Sequence, residues 1–179
     1  MASDPSTDLL RAAVHGDDGA LAEFVRRTQD RVVRLCAHLG SPRDADDLAQ
    51  ESFLRAVAAL PRFRGESSAE TWLFSIVRHV CADHVRKRIR RAAIDERFAD
   101  RGEGSVLADH RADLDDVLSR LDPDQRAAFV LTQELGLSYE EAAEVCDCPV
   151  GTIRSRVARA RAQLLADLTD RAGRRMEAG

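Results

Sequence analysis

Apolar residues recur at three- and four-residue spacing along almost the whole chain, and no run alternates apolar with polar residues as a half-buried strand does. The pattern predicts an all-α protein. A short helix is expected over residues 7–15, ended by Gly16. A longer one over 19–39 turns Leu21, Phe24, Thr28, Val32, Leu35 and Leu39 inward, and Gly40-Ser41-Pro42 stops it. A third over 45–60 places Ala49, Phe53, Ala56 and Leu60 on one face, and Pro61 ends it. A polar loop follows, Arg62-Phe63-Arg64-Gly65-Glu66-Ser67-Ser68, in which Ser67 forms a capping box with Glu70 for a fourth helix over 69–90. The inner stripe of that helix is Trp72, Leu73, Ile76, Val77, Val80, His84 and Val85. Arg78, His79, Asp83 and Arg86 fall on or near its outer face.

From 91 to 112 the periodicity fails, and Gly102, Gly104 and Ser105 lie among mixed charges, the composition of a flexible acidic linker. The chain therefore divides into two small helical domains, 1–91 and 113–179, joined by residues 92–112. The second opens with Leu114, Val117, Leu118 and Leu121 on one helix. Asp122-Pro123 supplies an N-cap and a first-turn proline for the next, whose core residues are Phe129, Val130 and Leu131, and Gly136 ends it. The stretch SYEEAAEVCDCPVGTIRSRVARARAQLLADL at 138–168 then reads as two helices around a tight turn. Ser138 and Glu141 form a capping box, Asp147 tolerates the left-handed turn, and Pro149 starts the last helix. Val150, Ile153, Val157, Ala160 and Leu164 make its buried stripe, while Ser155, Ala158, Arg159 and Ala162 point the opposite way. No acid interrupts residues 152–163, and Arg154, Arg156 and Arg161 flank the small outer residues. Such a helix-turn-helix suits a DNA major groove, with arginines beside the phosphates.

The chain has 179 residues and 44% hydrophobic content, enough to build a core, with 32% charged residues. Its formal net charge of −4 disfavours nucleic acid only on average. Residues 86–91 (RKRIRR) hold five basic side chains, whereas 95–116 hold eight acids against three arginines, so basic faces stand beside acidic surroundings. No stretch approaches the roughly 18 apolar residues of a membrane helix, and MASDPSTDLL lacks the basic and apolar parts of a signal peptide, which places the chain in the cytoplasm. Cys36, Cys81, Cys146 and Cys148 are expected to be structural thiols there. No nucleophile–base pair, metal cluster or glycine-rich phosphate loop stands out, so neither an enzyme nor a cofactor is expected.

Four segments carry a family resemblance: DADDLAQESFLRA at 44–56, FRGESSAETWLFSIVRHVCADHVRKRIRR at 63–91, LDPDQRAAFVLTQELGLSYEEAAEV at 121–145 and CPVGTIRSRVARAR at 148–161. In this order they resemble the extracytoplasmic-function sigma factors of bacterial RNA polymerase, group IV of the sigma-70 family, closest to an actinobacterial type, with sigma regions 2 and 4. The resemblance implies that Asp46, Asp47, Leu48, Gln50 and Glu51 dock on the β′ clamp helices of core polymerase. It makes Arg64, Gly65, Glu66, Ser67 and Ser68 a pocket for a base flipped from the non-template strand of promoter DNA. Arg78, His79, Asp83, Arg86 and Lys87 would line the −10 element, although His79 stands where the family commonly has asparagine. Helices over 113–135 would contact the β flap, and Thr152, Arg154, Ser155, Arg156, Arg159 and Arg161 would read the −35 element. Sigma factors of this kind are often held by an anti-sigma protein; nothing in the sequence identifies one. The alternative is a stand-alone dimeric helix-turn-helix regulator, which would bind a palindromic operator without polymerase.

Overall fold

The computed structural model describes residues 4–95 and 117–177, and all regular structure among them is helical. Asp4 caps the first helix, α1 (Pro5–Val14), by accepting from the Ser6 N–H. Gly16, at φ +93°, turns the chain into α2 (Asp18–Leu39), which Asp17 caps. A short turn over Pro42–Asp44 leads to α3 (Ala45–Ala59), and another over Leu60–Arg62 to the loop before α4 (Ala69–Asp95). In the second half, α5 (Pro123–Phe129) starts behind an Asp122 N-cap and widens into a π-helical turn over Val130–Glu134. The last two helices are α6 (Tyr139–Cys146) and α7 (Val150–Glu177).

The expected inner faces bury in part, with additions. In α2, Phe24, Thr28, Val32 and Leu35 are buried, joined by Cys36; Leu21 and Leu39 are only half-buried. In α4, Leu73, Val77 and Val80 are buried together with Phe74 and Cys81, while Trp72, Ile76, His84 and Val85 are partly covered. Thr28 can sit in the core because its hydroxyl donates to the Phe24 carbonyl at 2.8 Å.

Two local expectations need correction. The α4 cap is Ser68, one residue after the expected Ser67: its Oγ accepts from the Thr71 N–H at 3.1 Å. With Ser68 as the cap, the third helical position is Thr71, so Glu70 takes no part in a box; it is ion-paired with Arg31 of α2. Helix α4 also runs to Asp95, into the segment expected to be linker. The rest of that linker, and Leu114, lie outside the described residues.

The two halves do not hang apart. One continuous apolar cluster joins Phe24, Leu35, Phe74 and Val77 of the first module to Ala128, Leu131, Val145 and Ile153 of the second. Helix α4 lies against α6, and α2 against α5. Polar groups close the edges of this contact. Arg31 donates to the Leu135 carbonyl at 2.7 Å, and Arg126 donates to the His38 carbonyl at 3.2 Å. His38 pairs with Glu134 at 2.8 Å. A smaller cluster of Val117, Leu118, Leu121, Ala160 and Leu164 closes the far side of the second module.

Candidate nucleic-acid interface

The C-terminal face is built by local rules. Ser138 accepts from the Glu141 N–H at 3.1 Å, and the Glu141 carboxylate accepts from the Ser138 N–H at 2.8 Å. That reciprocal cap is worth about 1 kcal/mol and fixes the start of α6. Asp147 takes the left-handed conformation at φ 50°, so α7 leaves at a sharp angle. In α7, Ile153, Val157, Ala160 and Leu164 are buried and Val150 is half-buried; Ser155, Ala158, Arg159 and Ala162 are exposed, as the stripe requires. Arg154 is exposed and Thr152 half-exposed; Arg161 reaches Gln133 at 2.5 Å. Arg156 differs from the rest. It is ion-paired with Asp124 at the start of α5, and its Nη1 also contacts Cys148 Sγ at 3.5 Å.

The second basic face lies on α4 and the loop before it. The loop is held at both ends. Phe63 packs on Trp72 with ring centroids 5.2 Å apart, and the Ala69 N–H donates to Thr7 Oγ1 of α1 at 3.0 Å. Gly65, at φ +69°, lies under Arg11 of α1: a Cβ there would come within 3.2 Å of the guanidinium. Between the anchors, Arg64 and Glu66 project with 82% and 80% of their side chains exposed. Thr7 and Arg11 thus shape the loop, and no signal in the short, weakly patterned first helix marked them.

Along α4, His79 is exposed and donates from Nδ1 to the Ser75 carbonyl at 2.7 Å, since a carbonyl can only accept. Asp83 is held on both oxygens, by Arg86 at 2.6 Å and by Arg55 of α3 at 3.2 Å. These two guanidiniums, Arg86 first, hold its carboxyl below the usual range. Arg55 also grips Glu51 at 2.7 Å, so a chain of charges runs from α3 to α4 that sequence spacing alone did not reveal. Lys87 and its basic neighbours are exposed. Arg78, expected on the outer face, is only 24% exposed, because the second module covers it and Asp124 lies 3.8 Å from its guanidinium.

The third face is on α3. Asp46, Asp47, Gln50 and Glu51 are exposed together. Leu48, expected as the apolar contact of this face, is instead buried at 7% exposure beneath it, on the same side as Ala45, Ala49 and Ser52. Leu54 and Val57 are exposed at 61% and 46% on the turns that follow Glu51.

Cys36, Cys81 and Cys146 are buried and Cys148 is half-buried, and contact with Cys81 holds the Cys36 thiol down. Burial pushes Cys146 up to about 11, and contact with Cys36 followed by burial pushes Cys81 up. Among the described residues no cluster of three or more histidine, cysteine, aspartate or glutamate side chains could hold a metal ion, and no helix is long and apolar enough to cross a membrane.

Sigma-70 region 2 matches residues 24–96, and sigma-70 region 4 matches residues 111–164. The ECF RNA polymerase sigma factor SigC of Mycobacterium tuberculosis is 49% identical over 166 residues, which cover 90% of each chain. The ECF RNA polymerase sigma-E factor of Haemophilus influenzae is 34% identical over 169 residues, 86% of this chain and 89% of its own. The structure of CnrH in complex with the cytosolic domain of CnrY superposes with a TM-score of 0.75 at 30% identity, covering 93% of this chain and 99% of that one. The sigma factor RpoE of Bartonella quintana, solved with the anti-sigma factor NepR, gives 0.71 at 30% identity, over 83% of this chain and 96% of that one.

Proposed function

The chain belongs to the extracytoplasmic-function sigma factors of RNA polymerase, and from that premise we propose which of its surfaces does which part of the work. A sigma factor joins core polymerase and directs it to promoter DNA. It is a recognition subunit, and the chemistry of RNA synthesis belongs to the polymerase, so we assign this chain no reaction of its own. Its place of action is with the polymerase in the cytoplasm.

The reading rests above all on α7, which buries Ile153, Val157, Ala160 and Leu164 along one stripe and exposes a small, acid-free, arginine-flanked face behind a capped turn. That face, with Thr152, Ser155 and Arg159 toward the bases and Arg154, Arg156 and Arg161 toward phosphates, reads the −35 element. Residues 64–68 take up a flipped base, His79 and Arg78 face the −10 element, and Arg86 with Lys87 hold its backbone. Asp83 acts from behind, since both its oxygens are occupied. The domain division at the end of α4 remains part of this proposal, with region 4 resuming near residue 113. An anti-sigma protein is a further partner, as NepR is of the solved sigma factor RpoE.

The −35 assignment is tested by measuring binding of polymerase-loaded protein to a panel of −35 variants at several salt concentrations. Arg159→Ala should lose about 1–3 kcal/mol and relax preference at one or two base positions. Arg154→Ala should weaken every sequence alike and lower the salt slope by roughly one unit. The reverse pattern would mean that α7 is rotated differently in the groove.

The acidic face of α3 suits a basic partner helix. Leu54 gives it the apolar anchor that Leu48 cannot, being buried. Leu54→Asp is expected to lower affinity for core polymerase at least tenfold with an unchanged thermal midpoint, because its side chain is already in water; Asp47→Arg with Glu51→Arg should act through association rate and salt dependence. Co-elution of the Leu54→Asp protein with core polymerase at wild-type strength would remove this face from the contact.

A further inference from the structure

We propose that Asp124 is a built-in competitor for promoter phosphate: its carboxylate holds Arg78 of the first module and Arg156 of the second, so the closed chain is fastened by two of the side chains that the open chain offers to DNA. The inference rests on the assignment of those two arginines to DNA contact. The two come from different modules and from the two DNA-facing helices, α4 and α7. Both converge on one acid. Arg156 is paired with one carboxylate oxygen of Asp124, and the Arg78 guanidinium lies 3.8 Å from the other. They are also the covered members of their faces, at 24% and 21% exposure, while His79, Arg154 and Arg159 stand in solvent. A carboxylate and a phosphate engage guanidinium with the same charge-assisted geometry, so the acid and DNA compete for one set of donors.

Three other polar closures of the interface lie away from the DNA faces. Arg31 on the Leu135 carbonyl, Arg126 on the His38 carbonyl and His38 on Glu134 join the inner sides of α2 and the second module. They and the apolar cluster contribute to closure without drawing on the DNA-facing side chains. Asp124 is the point at which closure and DNA reading draw on the same atoms. It is half-exposed, at 49%, so an incoming phosphate can reach the pair from solvent. The local fold does not need its charge either: Asp122 is the α5 cap, accepting from the backbone N–H groups of residues 124 and 125.

The test uses the full chain without polymerase and a fluorescent promoter duplex, with binding followed by anisotropy at several salt concentrations. Asp124→Asn, and Asp124→Ser as a second neutral variant, should bind about 3–10-fold tighter than wild type and lose that advantage as salt rises. Glu140→Gln removes an equal charge from the exposed face of α6 and should gain much less. Energy transfer between dyes on α2 and α6 should show the modules farther apart in the Asp124 variants once DNA is added. Wild-type affinity in both Asp124 variants, or an equal gain in Glu140→Gln, overturns the competitor role. The wild-type complex with core polymerase is the reference. If it does not prefer the promoter over an unrelated duplex, the DNA-face assignment fails and the competitor role with it; if it does and Asp124→Asn still behaves as wild type, only the competitor role fails.

Discussion

Ile153→Asp should unfold the second module and lower the stability of the first as well. Ile153 is fully buried, and the cluster around it runs without a break from Val145 and Leu131 to Phe74 and Leu35. The substitution removes an apolar side chain worth about 1.5–3 kcal/mol in burial and leaves an unpaired carboxylate in its place. Together these reach roughly 4 kcal/mol or more, a large share of the 5–15 kcal/mol that holds a typical domain. Were the modules separate, the loss would stop at the second. Here α4 and α2 would also lose the surface that α6 and α5 cover, so the first module should melt earlier too. Ile153→Val, a loss of about 0.5–1.5 kcal/mol, is the graded comparison. Urea unfolding followed by circular dichroism, with Trp72 fluorescence reporting the first module, checks this. An unmoved Trp72 transition in Ile153→Asp would show that the shared cluster carries little energy between the halves.

The features legible in the sequence were those set by near neighbours. The Ser138–Glu141 box, the left-handed Asp147 and the α7 stripe each depend on residues within about two turns, and they form as the spacing dictates. The misread features were decided from afar. The α4 cap is Ser68 and not Ser67, and Glu70, expected to complete a box, pairs instead with Arg31, 39 residues before it. The sequence sets Leu48 among displayed acids, but α3 buries a wider face than a four-residue repeat suggests, closing over Leu48 and Ser52. Leu54 and Val57 were passed over for the complementary reason, since isolated apolar residues on an outer face look ordinary until the acids around them are seen to share it. The covering of Arg78 could not be read at all. It follows from how the second module docks, and no periodicity within α4 encodes that.

Exchanging residues 64–68 for a Gly/Ser loop that keeps Gly65 and Ser68 should leave polymerase binding intact and cut transcription from a closed promoter about 100-fold or more. The anchors survive this exchange. Phe63 still packs on Trp72, Thr7 still receives the Ala69 N–H, and Ser68 still caps α4. Only Arg64, Glu66 and Ser67 are lost, and the first two are the most solvent-exposed side chains of the loop's ion pair. Extracting a base from the duplex costs a few kcal/mol, which the proposed pocket must offset with hydrogen bonds and stacking. Without those contacts the full cost returns to the barrier, and about 2.7 kcal/mol is a hundredfold in rate. A template with a pre-melted bubble has already met that cost, so most activity should return on it. The measurement is run-off transcription on matched closed and bubble templates. An equal loss on both would show that residues 64–68 support the position of α4 and take no part in opening DNA.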